Sequence, residues 1–370
     1  MATRASKLLA GALSRMKARL ASRAARRGVA AGAASSDVQA SCVSRRGALA
    51  LLASGVASLG LAACGKAKKD RAAAEGQRVY RIGVLQLVEH EALDAANRGF
   101  VAALDESGIA YEIDQQNAQG DQSACQTIAS KLVGDSDDLI LAIATPAAEA
   151  CAGATEEIPI IGTAITDFAD AELVEANDAP GVNVTGASDL TPVADQIRML
   201  HTVLPKAKKV GIMWCTAETN SVLQAKLAHD ACEAYGLDAT DYTVSSSNEI
   251  QSVAESMVGK VDAIYVPTDN VVSAGMSTVA MVAQDSDIPV VVGEEGEFAE
   301  GVLCTYTISY EELGRLAGQM AVRILRDGAE PATMPIEYYP SDKLRLVYDK
   351  QRAADLGIDP SLWEGLENQP

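Results

Sequence analysis

The feature that most limits what this chain can fold into is an internal duplication of its body. One copy begins with the apolar run Val79–Gln86 and the other with Lys209–Cys215, and each run leads through a polar loop into a helical pattern. About 125 residues also separate two later pairs of apolar runs, 138–145 with 262–268 and 158–161 with 288–291. Because a fixed period indicates repeated structural units, the order strand, helix, strand, helix, strand is expected twice.

Short β-branched runs that alternate with helices are typical of parallel sheets with helices on both faces. The sequence therefore predicts an α/β protein with two similar lobes, each a parallel sheet flanked by helices. We expect lobe 1 to comprise residues 79–187 plus about 306–335, and lobe 2 to comprise 188–305 plus about 336–370. At 370 residues the chain is long enough for two such units.

Three segments predict where the chain passes between the lobes. The first crossing is expected at Gly186–Asp189. A late amphipathic helix, from about Tyr310 to Arg326, and a last strand at Leu344–Tyr348 predict that the chain returns between the lobes.

The N-terminal region, residues 1–63, has the pattern of an export signal. Two arginines precede an apolar run, Gly47–Ala63, which is shorter than the ~20 residues of a spanning helix. Small residues then lead to Cys64, the position at which a bacterial lipoprotein is lipidated after cleavage. Residues 64–78 read as a flexible tether. An uncleaved membrane anchor is the alternative, and either reading places the body outside the cytoplasm.

Charge and motif content exclude several functions. Residues 1–63 contain ten Lys/Arg and one acidic residue, whereas the rest contains 21 Lys/Arg and 49 Asp/Glu. An acidic body repels nucleic acid, so no nucleic-acid partner is expected. The chain has no CxxC pair, P-loop, HExxH or Gly-x-Ser-x-Gly, so we expect no metal, no cofactor and no enzymatic activity. Five cysteines follow Cys64, and we expect buried thiols, with some pairing left open.

Polar loops follow the strands of both predicted units, where parallel α/β sheets bind ligands. Thr145-Pro146 predicts a capped helix start suited to an anionic group. Ser221 opens the matching helix of the other lobe, and Asp269 is placed to hold a cation. The pair of charges suits a zwitterion such as an amino acid. Simple caps and turns are the alternatives for Thr145, Asp167, Asp189 and Asp269. We expect His90 to be a solvated loop residue or to form a hydrogen bond within the loop region.

These loops and their flanking strands resemble the tryptophan/tyrosine-type family of ABC-transporter substrate-binding lipoproteins. The resemblance covers roughly residues 80–358. The matching stretches are Ile82–His90 with Ala92–Asp94, Asn117–Gln122, Ala142–Ala148, Asn183–Gly186 with Ser188–Pro192, Asn220–Ser221, Ala263–Asn270 and Tyr310–Gly314. Glu91 and the pair Trp214-Cys215 depart from the family's pattern near the expected cleft.

The resemblance implies a type I periplasmic-binding-protein fold and delivery of an aromatic or other apolar amino acid to an ABC permease with its ATPase. Carried over by position, Thr145 and Ser221 meet the carboxylate and Asp269 meets the ammonium. The expected cleft-lining residues are Gln86, Glu89, Thr166, Asp167, Ser188 and Asn220. We expect a monomer anchored to the cell membrane through lipid on Cys64; the alternatives are a ligand-sensing module and a different solute such as a nucleoside.

Overall fold

The computed structural model describes residues 78–366. The predicted export signal, Cys64 and nearly all of the tether lie outside the described residues. Two six-stranded sheets form the two lobes. The first sheet contains β1 (Val79–Gln86), β2 (Ala110–Asn117), β3 (Leu139–Ile143), β4 (Ile160–Ile165), β5 (Val184–Ser188) and β11 (Glu337–Tyr338). The second contains β6 (Lys209–Cys215), β7 (Asp238–Val244), β8 (Ala263–Val266), β9 (Val290–Val292), β10 (Cys304–Thr307) and β12 (Arg345–Tyr348).

The strand orders confirm the internal duplication. They are β11-β5-β4-β3-β1-β2 in the first sheet and β12-β10-β9-β8-β6-β7 in the second. The two orders are identical when each strand of the first sheet is matched with its counterpart in the second. All neighbours pair in parallel except β10 with β12. The central strands β3, β8 and β9 are buried along their whole length, as strands covered by helices on both faces must be.

Helices cover both sheets. Lobe 1 carries α1 (Glu91–Ser107), α2 (Gln122–Gly134), α3 (Thr145–Ala154) and α9 (Tyr310–Asp327). Lobe 2 carries α4 (Val193–Val203), α5 (Thr219–Ala234), α6 (Ile250–Met257), α7 (Asn270–Ala274), α8 (Met276–Asp285), α10 (Lys350–Asp355) and α11 (Ser361–Glu364). Short polar side chains cap several of these helices, and the predicted late helix lies within α9, between its cap Ser309 and the left-handed Gly328.

The strand pairing moves the expected lobe boundaries by a few residues. Ser188 is the last residue of β5 and lies in the first sheet, so the first crossing follows it at 189–192 instead of beginning at Gly186. The second crossing is at 308–309, after β10. Glu337 and Tyr338, expected in lobe 2, pair with β5 in lobe 1.

Every crossing leaves from the carboxyl end of a strand. The third crossing joins β11 to β12 and enters lobe 2 beside the carboxyl end of β10, where Arg345 pairs with Thr307. The β12 strand must therefore run back along β10, which explains the antiparallel pair. Because all three crossings lie on this side, the carboxyl edges of the two sheets face one another.

Helices α1 and α9 pack unusually closely on the first sheet. A Cβ added at Gly314 would lie 1.9 Å from the carbonyl oxygen of Ala96, and one added at Gly99 would lie 1.9 Å from the carbonyl oxygen of Glu311. Glycine at both positions lets the two backbones touch. This contact fixes α9 in lobe 1, although its sequence follows the strands of lobe 2.

The five described cysteines are all buried and unpaired, which confirms the expected buried thiols; they are Cys125, Cys151, Cys215, Cys232 and Cys304. No helix within residues 78–366 has the length and apolar character needed to cross a membrane.

Candidate functional site

The facing edges of the two lobes are in direct contact. The Gln122 amide donates to the carbonyl oxygen of Ala217 at 2.8 Å, and the Thr219 hydroxyl donates to Glu149 at 2.7 Å. The start of α1 approaches the loop after β9 so closely that a Cβ on Gly296 would lie 2.7 Å from the nitrogen of Ala92. The cleft between the lobes is therefore closed, and the side chains inside it are shielded from water.

Lobe 1 presents three hydroxyl side chains at neighbouring strand ends. Thr145, Thr166 and Ser188 follow or end β3, β4 and β5, and each is at most 2% exposed. The Ser188 hydroxyl donates to the carbonyl oxygen of Thr166 at 2.7 Å. Burial of hydroxyls at the facing edge agrees with the predicted placement of these residues.

Two alanines at these strand ends adopt positive φ angles, which non-glycine residues rarely do. Ala144 has φ 84° and Ala164 has φ 55°. The strained backbone at Ala144 turns the chain directly into α3, so Ala144, not Thr145, is the N-cap residue. Thr145 is instead the first residue of the helix, and the prediction of a Thr145 cap was wrong. Such strain is concentrated at functional sites.

In lobe 2, Asp269 organises the strand ends. One of its carboxylate oxygens accepts from the backbone N–H of Cys215 at 2.6 Å and from the Ser221 hydroxyl at 2.7 Å. The other oxygen accepts from the N–H of Val272 at 2.8 Å and caps α7. Both oxygens of Asp269 and the proton of Ser221 are therefore engaged within the lobe. This is the capping role that the sequence left open as an alternative, and it does not favour the predicted ammonium contact.

Three other predicted site residues make contacts within lobe 1 or are exposed. Gln86 is buried but is bound within lobe 1, where its amide donates to Asp94 at 2.6 Å. Glu89 is exposed. Asp167 accepts from the N–H groups of Ala169 and Asp170, at 2.9 and 3.0 Å, and so stabilises its own turn. The turn alternative describes Asp167 correctly.

Asn220 lies at the start of α5 and is 6% exposed. Its amide nitrogen lies within hydrogen-bonding distance of Glu218 and of the carbonyl oxygen of Thr268, at 3.2 and 3.3 Å. Its carbonyl oxygen has no partner among the described residues. The structure thus leaves Asn220 with one free acceptor in the cleft.

Five carboxyl groups are buried at the facing edges, and we call them the cleft carboxyls: Asp189, Glu218, Asp269, Glu294 and Glu297. Burial raises the pKa of Asp189 to about 6 and those of Glu218 and Glu294 to about 8. It also raises the pKa values of Asp269 and Glu297. The cause is the loss of water around the charged form, and neighbouring carboxyl charges add to it for all of these groups except Asp189 and Asp269. Buried acids of this kind are concentrated at functional sites.

Several buried polar atoms around the cleft have no hydrogen-bond partner within residues 78–366. They come from both lobes and from the first crossing: Thr145 Oγ1, Asp189 Oδ1, Asn220 Oδ1, Gln224 Oε1, Glu294 Oε1 and His90 Nδ1. Buried polar groups are nearly always hydrogen-bonded, so each such atom calls for an explanation. A polar molecule held between the lobes would supply the partners.

Sequence reasoning missed Gln224 and Tyr310 and did not place His90 in the cleft. Gln224 lies one helical turn after Asn220, and its amide donates across the cleft to the Thr166 hydroxyl at 3.2 Å. His90 was expected to be solvated or to hydrogen-bond, and the second alternative holds: its Nε2 lies 3.3 Å from Asn270 Oδ1 of lobe 2, and burial lowers its pKa. The helical spacing of Asn220 and Gln224 was the one available signal.

Two duplicated α/β lobes that close over a polar cleft define a solute-binding protein with the type I periplasmic-binding-protein fold. The model of the family described as ABC transporter substrate binding protein matches residues 81–361. The chain belongs to this family. Both the predicted fold class and the predicted family are thereby confirmed.

Two similar proteins have names that state an amino acid. The tyrosine-binding protein of Clostridioides difficile (strain R20291) is 38% identical over 294 residues, which are 78% of this chain and 85% of that protein. A solved ABC domain from Streptococcus pneumonia in complex with L-Trp is 38% identical, with a TM-score of 0.72 over 75% of this chain and 95% of the other.

A third similar protein was solved without a ligand. The ligand-free, open structure of a substrate-binding protein with adhesive properties from Clostridium difficile is 40% identical. It gives a TM-score of 0.59 over 76% of this chain and 95% of the other. Identity and coverage are similar to those of the L-Trp complex, and the TM-score is lower.

Proposed function

We propose that this chain captures an amino acid, with an aromatic or other apolar side chain, and delivers it to an ABC permease and its ATPase. The observation that carries the proposal is the set of buried polar atoms without partners on both sides of a closed cleft. Leaving such groups unpaired is costly, by about 1–3 kcal/mol each. A bound solute with donors and acceptors at both ends removes this cost, and it does so only when the lobes are closed.

The carboxylate end of the ligand is assigned to Thr145. Its hydroxyl is buried and unpartnered at the first residue of α3, a helix of 10 residues. The first-turn N–H groups of a helix lack intrahelical acceptors, and the helix dipole favours an anion there. Thr166 and Ser188 lie at the neighbouring strand ends of this part of the cleft. The free carbonyl oxygen of Asn220 is an acceptor, so it suits a donor of the ligand and not the carboxylate. Ser221 was predicted to contact the anion, but its hydroxyl donates to Asp269 instead, so it acts on the site only by holding that carboxylate.

The names of the similar proteins support an amino acid as the ligand, since one is a tyrosine-binding protein and another was solved with L-Trp. We propose binding without catalysis. Members of this family are extracytoplasmic, and a monomeric receptor is sufficient because one chain supplies both lobes of the cleft.

A ligand screen on the purified protein tests the proposal. Thermal unfolding is followed with each of the twenty amino acids and a set of nucleosides. A ligand at 100 times its Kd stabilises the folded state by about 2.7 kcal/mol, so a true ligand raises the Tm clearly. We expect tryptophan, tyrosine or phenylalanine to do so. Stabilisation by nucleosides alone would refute the amino-acid assignment.

We also propose that lipid on Cys64 anchors the chain to the membrane. Support comes from the sequence pattern alone, since Cys64 lies outside the described residues. Cys64→Ala is expected to release the protein from membranes in a fractionation experiment, whereas Cys42→Ala, upstream of the cleavage point, is expected to leave it attached. Sedimentation of Cys64→Ala with the membranes would contradict lipid anchoring.

A further inference from the structure

The cleft carboxyls divide into two groups by how their oxygens are used. Both oxygens of Asp269 accept protein hydrogen bonds, and the same holds for Glu218 and Glu297. Asp189 and Glu294 are different. One oxygen of Asp189 accepts from the Tyr310 hydroxyl at 2.8 Å, and one oxygen of Glu294 accepts from the N–H of Gly296. The second oxygen of each is buried and has no partner within the described residues.

Asp189 and Glu294 are close to each other in space. The charge of Asp189 contributes to the raised pKa of Glu294, after the larger effect of burial. Both also act on Tyr310, whose pKa burial and these two charges raise. No lysine or arginine within residues 78–366 forms an ion pair with either carboxyl. Two acidic groups are thus held together without a protein counter-charge.

A third free acceptor adjoins this pair. The Thr166 hydroxyl hydrogen-bonds to Asp189, which opposes the rise in the pKa of that carboxyl, and it accepts from the amide nitrogen of Gln224 at 3.2 Å. The carbonyl oxygen of Gln224 is buried and unpartnered. A primary ammonium group has three N–H donors and one positive charge. Three unsatisfied oxygens, two of them on carboxyls, match that inventory, whereas a carboxylate ligand would be repelled.

We infer that Asp189 and Glu294, and not Asp269, form the subsite that takes the ammonium group of the ligand. The inference rests on the proposed function and assigns one end of the solute. Asp189 belongs to the first crossing and Glu294 to lobe 2, so an ammonium group bound between them joins the two. The Asp189–Tyr310 hydrogen bond also ties the first crossing to the start of α9, directly after the second crossing.

Calorimetry with matched ligands tests this subsite. The ligands are L-tryptophan and L-tyrosine, each paired with its deaminated analogue, indole-3-propionate or 3-(4-hydroxyphenyl)propanoate. The variants are Glu294→Gln and Asp189→Asn. The control is Glu295→Gln, at the residue that follows Glu294. The Glu295 carboxylate pairs with Arg345 at the surface, so this variant also replaces one acid by its amide but does so outside the subsite.

We expect the unaltered protein to bind the amino acid at least 100-fold more tightly than its analogue. Each cleft variant should weaken amino-acid binding at least ten-fold and change binding of the analogue by less than about three-fold; the control should change neither. The Tm of each unliganded variant should be equal or higher, because an amide replaces an acid whose charged form is disfavoured by burial. Equal losses for both ligands, or no loss for the amino acid, would overturn the inference.

A measurement on the unaltered protein covers the case of a variant that does not fold. At pH 6.5 Glu294, whose pKa burial raises to about 8, is protonated before binding, and a bound ammonium ionises it. Binding of the amino acid should therefore release a proton, whereas binding of the deaminated analogue should not. The release is read from heats in buffers with different ionisation enthalpies. Equal release for the two ligands would refute the subsite and leave amino-acid binding standing. Absence of any amino-acid binding would refute the proposed function itself.

Discussion

Replacing Asp269 with alanine distinguishes a structural carboxylate from a ligand contact. Asp269 is fully buried and its side chain accepts three hydrogen bonds from lobe 2. Losing the α7 cap costs about 1 kcal/mol. The Cys215 N–H and the Ser221 hydroxyl then stay buried without an acceptor, at about 1–3 kcal/mol each.

Removing the carboxylate also relieves its repulsion with Glu218, whose pKa its charge helps to raise. We therefore expect the free energy of unfolding of the unliganded protein to fall by about 3 kcal/mol, which combines the cost of the lost hydrogen bonds with this relief. Asp269→Asn keeps an acceptor oxygen and should cost about 1–2 kcal/mol.

Intrinsic fluorescence in urea is a suitable assay, because both tryptophans of the chain, Trp214 and Trp363, pack against the core of lobe 2. The signal therefore reports the lobe that contains Asp269. A loss in Asp269→Ala below about 1 kcal/mol, together with abolished amino-acid binding, would refute the structural assignment and restore the direct contact with the ammonium.

Three further predictions follow from burial and packing. In urea titrations the free energy of unfolding of the unliganded protein should fall from pH 5 to pH 8.5. The raised pKa values of Asp189 and the other cleft carboxyls keep protons bound to the folded protein, whereas the unfolded chain has already released them. A rise in the free energy of unfolding would contradict this. Thr145→Val should leave the Tm equal or higher but weaken amino-acid binding about ten-fold in calorimetry, whereas Thr305→Val, which removes another unpartnered hydroxyl, should leave binding unchanged. Gly314→Ala should destabilise lobe 1 by about 2–3 kcal/mol in circular-dichroism urea titrations, whereas Gly153→Ala, which has open space, should stabilise it by about 0.5–1 kcal/mol.

The repeat in the sequence was sufficient for the fold. Periodic apolar runs and Ile-Pro segments gave both sheets, and Tyr310–Asp327 was expected nearly at its observed limits. The lobe boundaries moved because strand pairing, which joins residues distant in sequence, decides where β5 and β11 belong. The direction of β12 likewise depends on the side from which the chain enters lobe 2.

The site was only partly predictable. The sequence identified the right loops, since polar residues after parallel strands must meet at one edge. It gave no means of distinguishing Asp269 from Asp189 and Glu294, because all three are acids in such loops. Only the tertiary structure shows which oxygens already accept hydrogen bonds within the protein and which remain free. That difference depends on the positions of Cys215, Ser221 and Tyr310, which approach from other elements, and so it has no local signature in the chain.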